Sequence, residues 1–130
     1  MIFLKKIIKS KNLPKPIGTY SPAVETDNFL FTSGQVAMDK KTLKILNGDM
    51  EEQTLLALHN IELLLKESGL SKESIIKLTV YVTDLKKFNL VNLAFISFFR
   101  DLDFPARTTI EVSGLPLGAM VEIDCIAITK

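Results

Sequence analysis

The 130-residue sequence has no tryptophan, one cysteine and one histidine. A lone Cys125 has no internal disulfide partner, which fits a reducing compartment and makes the cytoplasm the expected location. No Cys/His set has zinc spacing and no D-x-D-x-D-G loop is present, so no metal is expected. There is no G-x-S-x-G elbow and no glycine-rich phosphate loop. His59 falls in a helical pattern and Cys125 in an apolar strand run, where core or helix-surface roles outweigh nucleophilic ones. No stretch approaches 18 apolar residues without a charge, so no membrane span is expected. The first residues, Met1 to Lys9, carry lysines inside their apolar run, unlike a signal peptide. Charge of one sign is also missing: 16 Lys+Arg against 15 Asp+Glu give a net charge of +1. Nothing demands an anionic polymer, and nucleic acid is not an expected partner. Lys5, Lys6, Lys9, Lys11 and Lys15 do make the first segment locally basic, but a lysine-guarded strand accounts for them.

What is present describes one folded domain over residues 1–130, with 47% hydrophobic and 24% charged residues. The mean hydropathy of +0.24 is high for so small a chain. That excess suggests surface buried against other copies of the chain. Residues 2 to 9 read as a strand. Asn12, Pro14, Pro16 and Gly18 then hold the chain irregular to about Asp27, a connection long enough to be a binding loop around Tyr20 and Ser21. Phe29 to Ser33 is a second strand ending at Gly34, and Lys40 to Gly48 is a surface hairpin or loop. Asp49 followed by Glu52 is an N-terminal capping pattern. Leu55, Leu58, Ile61 and Leu65 then recur at helical spacing until Gly69 supplies a left-handed stop.

Ser74 to Thr83 alternates as a strand, with Ile76, Leu78, Val80 and Val82 on one face and Ile75, Lys77, Thr79 and Tyr81 on the other. Val91, Phe95, Phe98 and Leu102 predict a second helix over 88–102. Arg107 to Val112 and Met120 to Thr129 follow as strands. The Gly114 to Gly118 connection between them is expected to be neither helix nor central strand. The order ββ(hairpin)αβαββ makes an α+β fold, a mixed sheet with two helices on one face. Its other face then needs a partner, and self-association is the economical answer.

Arginine is the scarce base, at positions 100 and 107 only. Arg100 ends a helix, where a cation is ordinary. Arg107 opens a strand after Phe104-Pro105-Ala106, where a rigid fork beside apolar surface suits a small carboxylate or, equally, an internal acid. Glu122 alternates with Val121 and Ile123 in an apolar strand, and Asp124 shares its face roughly 7 Å away, close enough for each to raise the other's proton affinity. The solvated face of an edge strand explains that pattern at least as well. Asn92 and Tyr20 are ambiguous on the same grounds.

Five segments occur in order: Gly18-Thr19-Tyr20-Ser21-Pro22-Ala23, Ser33-Gly34-Gln35, Val91-Asn92, Phe104-Pro105-Ala106-Arg107-Thr108 and Val121-Glu122-Ile123-Asp124. Together they resemble the RidA/YjgF family of reactive-intermediate deaminases over nearly the whole chain. The resemblance implies a chorismate-mutase-like α+β subunit, assembled as a homotrimer with clefts between subunits. It implies hydrolysis of 2-imino acids, such as 2-iminobutanoate and 2-iminopropanoate, to 2-keto acids and ammonia without a cofactor. On the matching positions, Arg107 would grip the substrate carboxylate and Glu122 would position or activate the attacking water. Tyr20, Ser33, Gly34 and Asn92 would line the pocket. Thr109 falls where many members have a cysteine and would act through its backbone. Thr19, Pro22 and Thr108 depart from frequent family residues at the pocket mouth and bear on the preferred imino acid. Relatives described as translation inhibitors or ribonucleases make an RNA-directed role the second reading. A non-catalytic, small-carboxylate-binding or chaperone-like trimer is the third.

Overall fold

The computed structural model describes residues 5–130, so the part of the first strand expected at residues 2–4 lies outside them. The elements run β1 (Lys6–Ile8), β2 (Ala23–Glu25), β3 (Phe29–Thr32), β4 (Gln35–Val36), α1 (Met50–Glu67), β5 (Ile75–Val82), α2 (Phe88–Phe98), β6 (Ala106–Glu111) and β7 (Val121–Ile128). The α+β class and the two helices stand as expected, but two short strands are added. β2 lies where the sequence reads as irregular, and β4 just past the expected end of the second strand at Gly34. β2 pairs antiparallel with β1 and β3, and β4 pairs antiparallel with β7.

Helix α1 starts as its sequence dictates. The Asp49 side chain accepts from the Glu52 N–H, and Glu52 accepts in return from the Asp49 N–H. Such a box stabilises a helix start by about 1 kcal/mol. At the other end Gly69 takes φ +70°, and the Leu70 N–H reaches back to the Leu65 carbonyl at 2.9 Å. Helix α2 stops at Phe98 rather than Leu102. The backbone turns left-handed at Asp101 (φ 64°), so Leu102 keeps its apolar spacing by a turn, with its N–H on the Phe99 carbonyl. The Gly114 to Gly118 connection does contain one 3₁₀ turn, Pro116–Gly118, since proline is tolerated at the first position of such a turn.

The sheet order is β1-β2-β3-β7-β5-β6, with β4 continuing β3's edge of β7 beyond Ser33-Gly34. β7 is therefore interior, and the edge-strand explanation of Glu122 and Asp124 does not hold. β5 runs antiparallel to β7 and parallel to β6. A bulge between Ile75 and Lys77 shifts the register, so Ile75 is buried and Ile76 exposed, the reverse of the simple alternation.

Both helices cover one face. Leu58, Ile61, Leu64 and Leu65 of α1 and Val91, Phe95 and Phe98 of α2 pack there against Leu78, Val80, Val82, Val121, Ile123 and Cys125. The opposite face, by strand register, carries Ile7, Phe29, Phe31, Ile110 and Ile128, all large apolar side chains left exposed. No helix among the described residues is long and apolar enough to cross a membrane.

Candidate functional site

Arg107 stands opposite Leu78 in the β5–β6 register, which sends its side chain to the helix-covered face. There α2 offers Phe88, Asn92 and Phe95, spaced four and three residues apart on one helical face. The guanidinium carbon sits 4.6 Å from the Phe95 ring centroid and 5.2 Å from that of Phe88. Its Nη2 donates to Asn92 Oδ1 at 2.7 Å. The aromatic faces hold the cation without neutralising it. Among the described residues the ion pairs are His59–Glu62 and Lys72–Glu62, and Arg107 has no carboxylate partner. Partial burial lowers its pKa, a desolvation cost that a bound anion would offset.

Thr109, two residues along the same strand, has its Oγ1 enclosed without a hydrogen-bond partner. The Val112 N–H bonds the Val82 carbonyl at 2.8 Å, so even-numbered residues of β6 turn their main chain toward β5. The peptide groups of Arg107, Thr109 and Glu111 then point to the open edge of the sheet.

A second cluster forms around Glu122. It stands opposite Val36 on one side and Tyr81 on the other. Gly34, in the break between β3 and β4, lies directly under its carboxylate. A Cβ on Gly34 would come 2.7 Å from Glu122 Cδ, so any side chain there would have to displace the carboxylate. Ser33 holds the break closed: its Oγ donates to the Ser21 carbonyl at 2.6 Å, and its N–H donates to the Pro22 carbonyl at 2.9 Å. That pins the loop bearing Tyr20, which is exposed and borders a cleft with Leu13, Ile17, Gly34 and Met38. Burial, and then the neighbouring Asp124, push the Glu122 carboxyl above its ordinary range. Asp124 in turn accepts from the Tyr81 hydroxyl at 3.0 Å.

Seven residues singled out by sequence thus form two groups. Arg107, Asn92 and Thr109 lie together on the helix side of β6, and Glu122, Gly34, Ser33 and Tyr20 lie together around the β3–β4 break. Within one chain the two groups do not meet. Arg107 pairs with Leu78 and Glu122 with Tyr81, three residues apart on β5, which puts their side chains on opposite sheet faces. The sequence reading missed Phe88 and Tyr81. Phe88 was legible from its four-residue spacing to Asn92, whereas Tyr81's place beside Glu122 depends on strand register. His59 is half-exposed on α1 with its ring edge-on to Phe98. Burial pushes the Cys125 thiol up to about 12, so it is no nucleophile at neutral pH.

Comparison with known proteins is consistent along the chain. The family model described as Endoribonuclease L-PSP matches residues 10–129. A RutC family protein of Aquifex aeolicus is 43% identical over 122 residues, covering 93% of this chain and 97% of the relative. One from Pyrococcus horikoshii is 42% identical over 124 residues, covering 95% and 98%. Among solved structures, a Rid family protein of Yersinia pestis superposes with a TM-score of 0.91 at 39% identity, covering 96% of this chain and 99% of that one. Escherichia coli TdcF, solved with bound serine, gives 0.89 at 35% identity, covering 95% and 98%. With that family model spanning residues 10–129, and with relatives at about 40% identity over nearly their whole length, the chain belongs to the L-PSP/RutC family, the RidA/YjgF family that its motifs resemble.

Proposed function

We propose that this protein hydrolyses 2-imino acids, such as 2-iminobutanoate and 2-iminopropanoate, to 2-keto acids and ammonia, in clefts where the Arg107 group of one copy faces the Glu122 group of another. The observation that carries this reading is Arg107 itself: a cation seated on two aromatic rings, oriented by Asn92 and left without an acid. A bidentate carboxylate is the ligand its remaining donors suit. The bound serine of TdcF, a small amino acid, supports that ligand class in a relative. Self-association is supported by the apolar face of Phe29, Phe31, Ile110 and Ile128, which a trimer of such subunits would cover.

The chemistry asks little of the protein beyond orientation. The protonated imine carbon is electrophilic; water adds to it, the C=N π pair moves to nitrogen, and Glu122 takes the water's proton. Returning that proton to nitrogen converts the amine of the carbinolamine to a leaving group. Ammonia departs with the C–N bond pair as the hydroxyl oxygen forms the carbonyl, and the hydroxyl proton passes to the ammonia as ammonium. Glu122 serves as base and then acid, and its raised proton affinity suits both. Arg107 and the outward peptide groups of β6 hold the carboxylate end, so the reacting carbon is presented at one distance.

The test generates imine in situ with a threonine dehydratase or an amino-acid oxidase while semicarbazide competes for it. Wild type should suppress semicarbazone formation, and Arg107→Ala should lose at least about tenfold in kcat/KM. Full activity in Arg107→Ala overturns the assignment of the arginine. No suppression by wild type overturns the enzyme and leaves a carboxylate-binding relative, with salt-dependent RNA binding next to be measured.

A further inference from the structure

The face of β7 that carries Glu122 holds a second acid whose placement the hydrolysis described above leaves unexplained. Asp124 lies two residues along on the same face. Tyr81, directly opposite Glu122 in the register, reaches diagonally past it so that its hydroxyl donates to Asp124 Oδ2 at 3.0 Å. Both residues are only part-exposed. A tyrosine and an aspartate placed for solubility would not be tied to each other across two strands.

Granted the role proposed for Glu122, we propose that Tyr81 and Asp124 are its positioning residues: the Tyr81 hydroxyl fixes a second carboxylate beside Glu122, and that fixed negative charge makes Glu122 a stronger proton acceptor toward the attacking water. The other groups around Glu122 do not supply this. β4 presents Val36 and Gln35, without charge. The loop bordering the Gly34 cleft brings Tyr20 and Lys15. On β5, Lys77 lies farther along the same face and its Nζ is committed to Thr108 Oγ1 at 2.6 Å. Asp124 is thus the acid aligned with Glu122. The directions of titration agree: Asp124 adds to burial in raising Glu122, and burial, then Asp124 and Glu122, raise Tyr81, which keeps its hydroxyl a donor through mildly alkaline pH.

The experiment follows the Glu122 side-chain carboxyl by carbon NMR across a pH titration, alongside the pH profile of kcat/KM for imine hydrolysis. Wild type, Asp124→Asn and Tyr81→Phe are compared. Asp124→Asn should move the Glu122 titration to lower pH by about half to one unit, as expected for one charge roughly 7 Å away at a partly solvated site. The acid limb of the profile should move with it, and the plateau should fall about two- to tenfold because a weaker base remains. Tyr81→Phe should shift both in the same direction by less, and Asp124→Glu should restore part of the shift. Both main variants preserve shape, and the same spectra report whether the fold is kept.

An unchanged Glu122 titration in Asp124→Asn overturns the proposal, as does a shifted titration with an unshifted acid limb. Glu122→Gln separates this from the underlying reading. Full activity in that variant removes Glu122 from the reaction, whereas an inactive Glu122→Gln beside an unshifted Asp124→Asn removes only the positioning pair.

Discussion

The two halves of the site are built on different physical terms. Around Arg107 the protein supplies a cation and withholds its counter-ion, using aromatic faces and one amide to orient the fork. Around Glu122 it supplies a carboxylate, brings a like charge near it and removes the backbone beneath it down to a bare glycine. In the function proposed above, the first half is the one that binds, because its cation lacks an acid partner, and the second is the one that takes the proton, because its carboxyl lies above the ordinary range. Substitutions in the first should act mainly on KM, and those in the second mainly on kcat.

The largest effect is expected where the chemical half is tightest. Gly34→Ala must displace the Glu122 carboxylate, because the new methyl would lie 2.7 Å from Cδ. Shifts of about 1 Å at a reacting group cost on the order of 10²-fold. Steady-state kinetics of the variant should therefore show a collapse of kcat with KM little altered, and a normal kcat would break the comparison at its stronger end.

The binding half should yield a smaller and different change. Asn92→Asp would put a carboxylate where Asn92 Oδ1 now accepts from Arg107 at 2.7 Å, creating the internal ion pair that the native protein avoids. Competition with the substrate carboxylate should raise KM about tenfold while kcat stays near wild type. A kcat loss with unchanged KM would show that Asn92 belongs to the chemistry instead.

The smallest effect is on stability, and it sharpens the contrast. Glu122 binds its proton more tightly folded than unfolded, so the native state gains protons relative to the unfolded one and stability falls as pH rises through the raised value. Glu122→Gln should then melt about 1–4 °C higher than wild type at pH 7 to 8, with the difference shrinking as pH drops below the ordinary glutamate range. A variant that is less stable at neutral pH would show that the ionised carboxylate is satisfied in the fold rather than tolerated for function.

Much of this was legible in one dimension. Asp49 and Glu52 announce the start of α1 and Gly69 its end, because capping and left-handed stops are local chemistry set by neighbours in the chain. The alternation of Val121 to Asp124 placed Glu122 and Asp124 on one face, since a strand's period is a backbone property. The scarcity of arginine isolated Arg107. The short strands β2 and β4 were not legible, because three- and two-residue strands exist only through the partners that pair with them. Nor was the Ile75–Ile76 reversal, which follows from a bulge against β7.

The sequence by itself thus determined the two helices, the long strands, the apolar excess and the identity of the polar residues that stand out from them. Only the tertiary structure decided that β7 is interior, that Tyr81 lies beside Glu122, and that Arg107 and Glu122 point from opposite faces of the sheet. The reason is that composition and periodicity are carried by each segment alone. Which strand lies next to which, and in what register, is set by burial and hydrogen bonding between segments far apart in the chain.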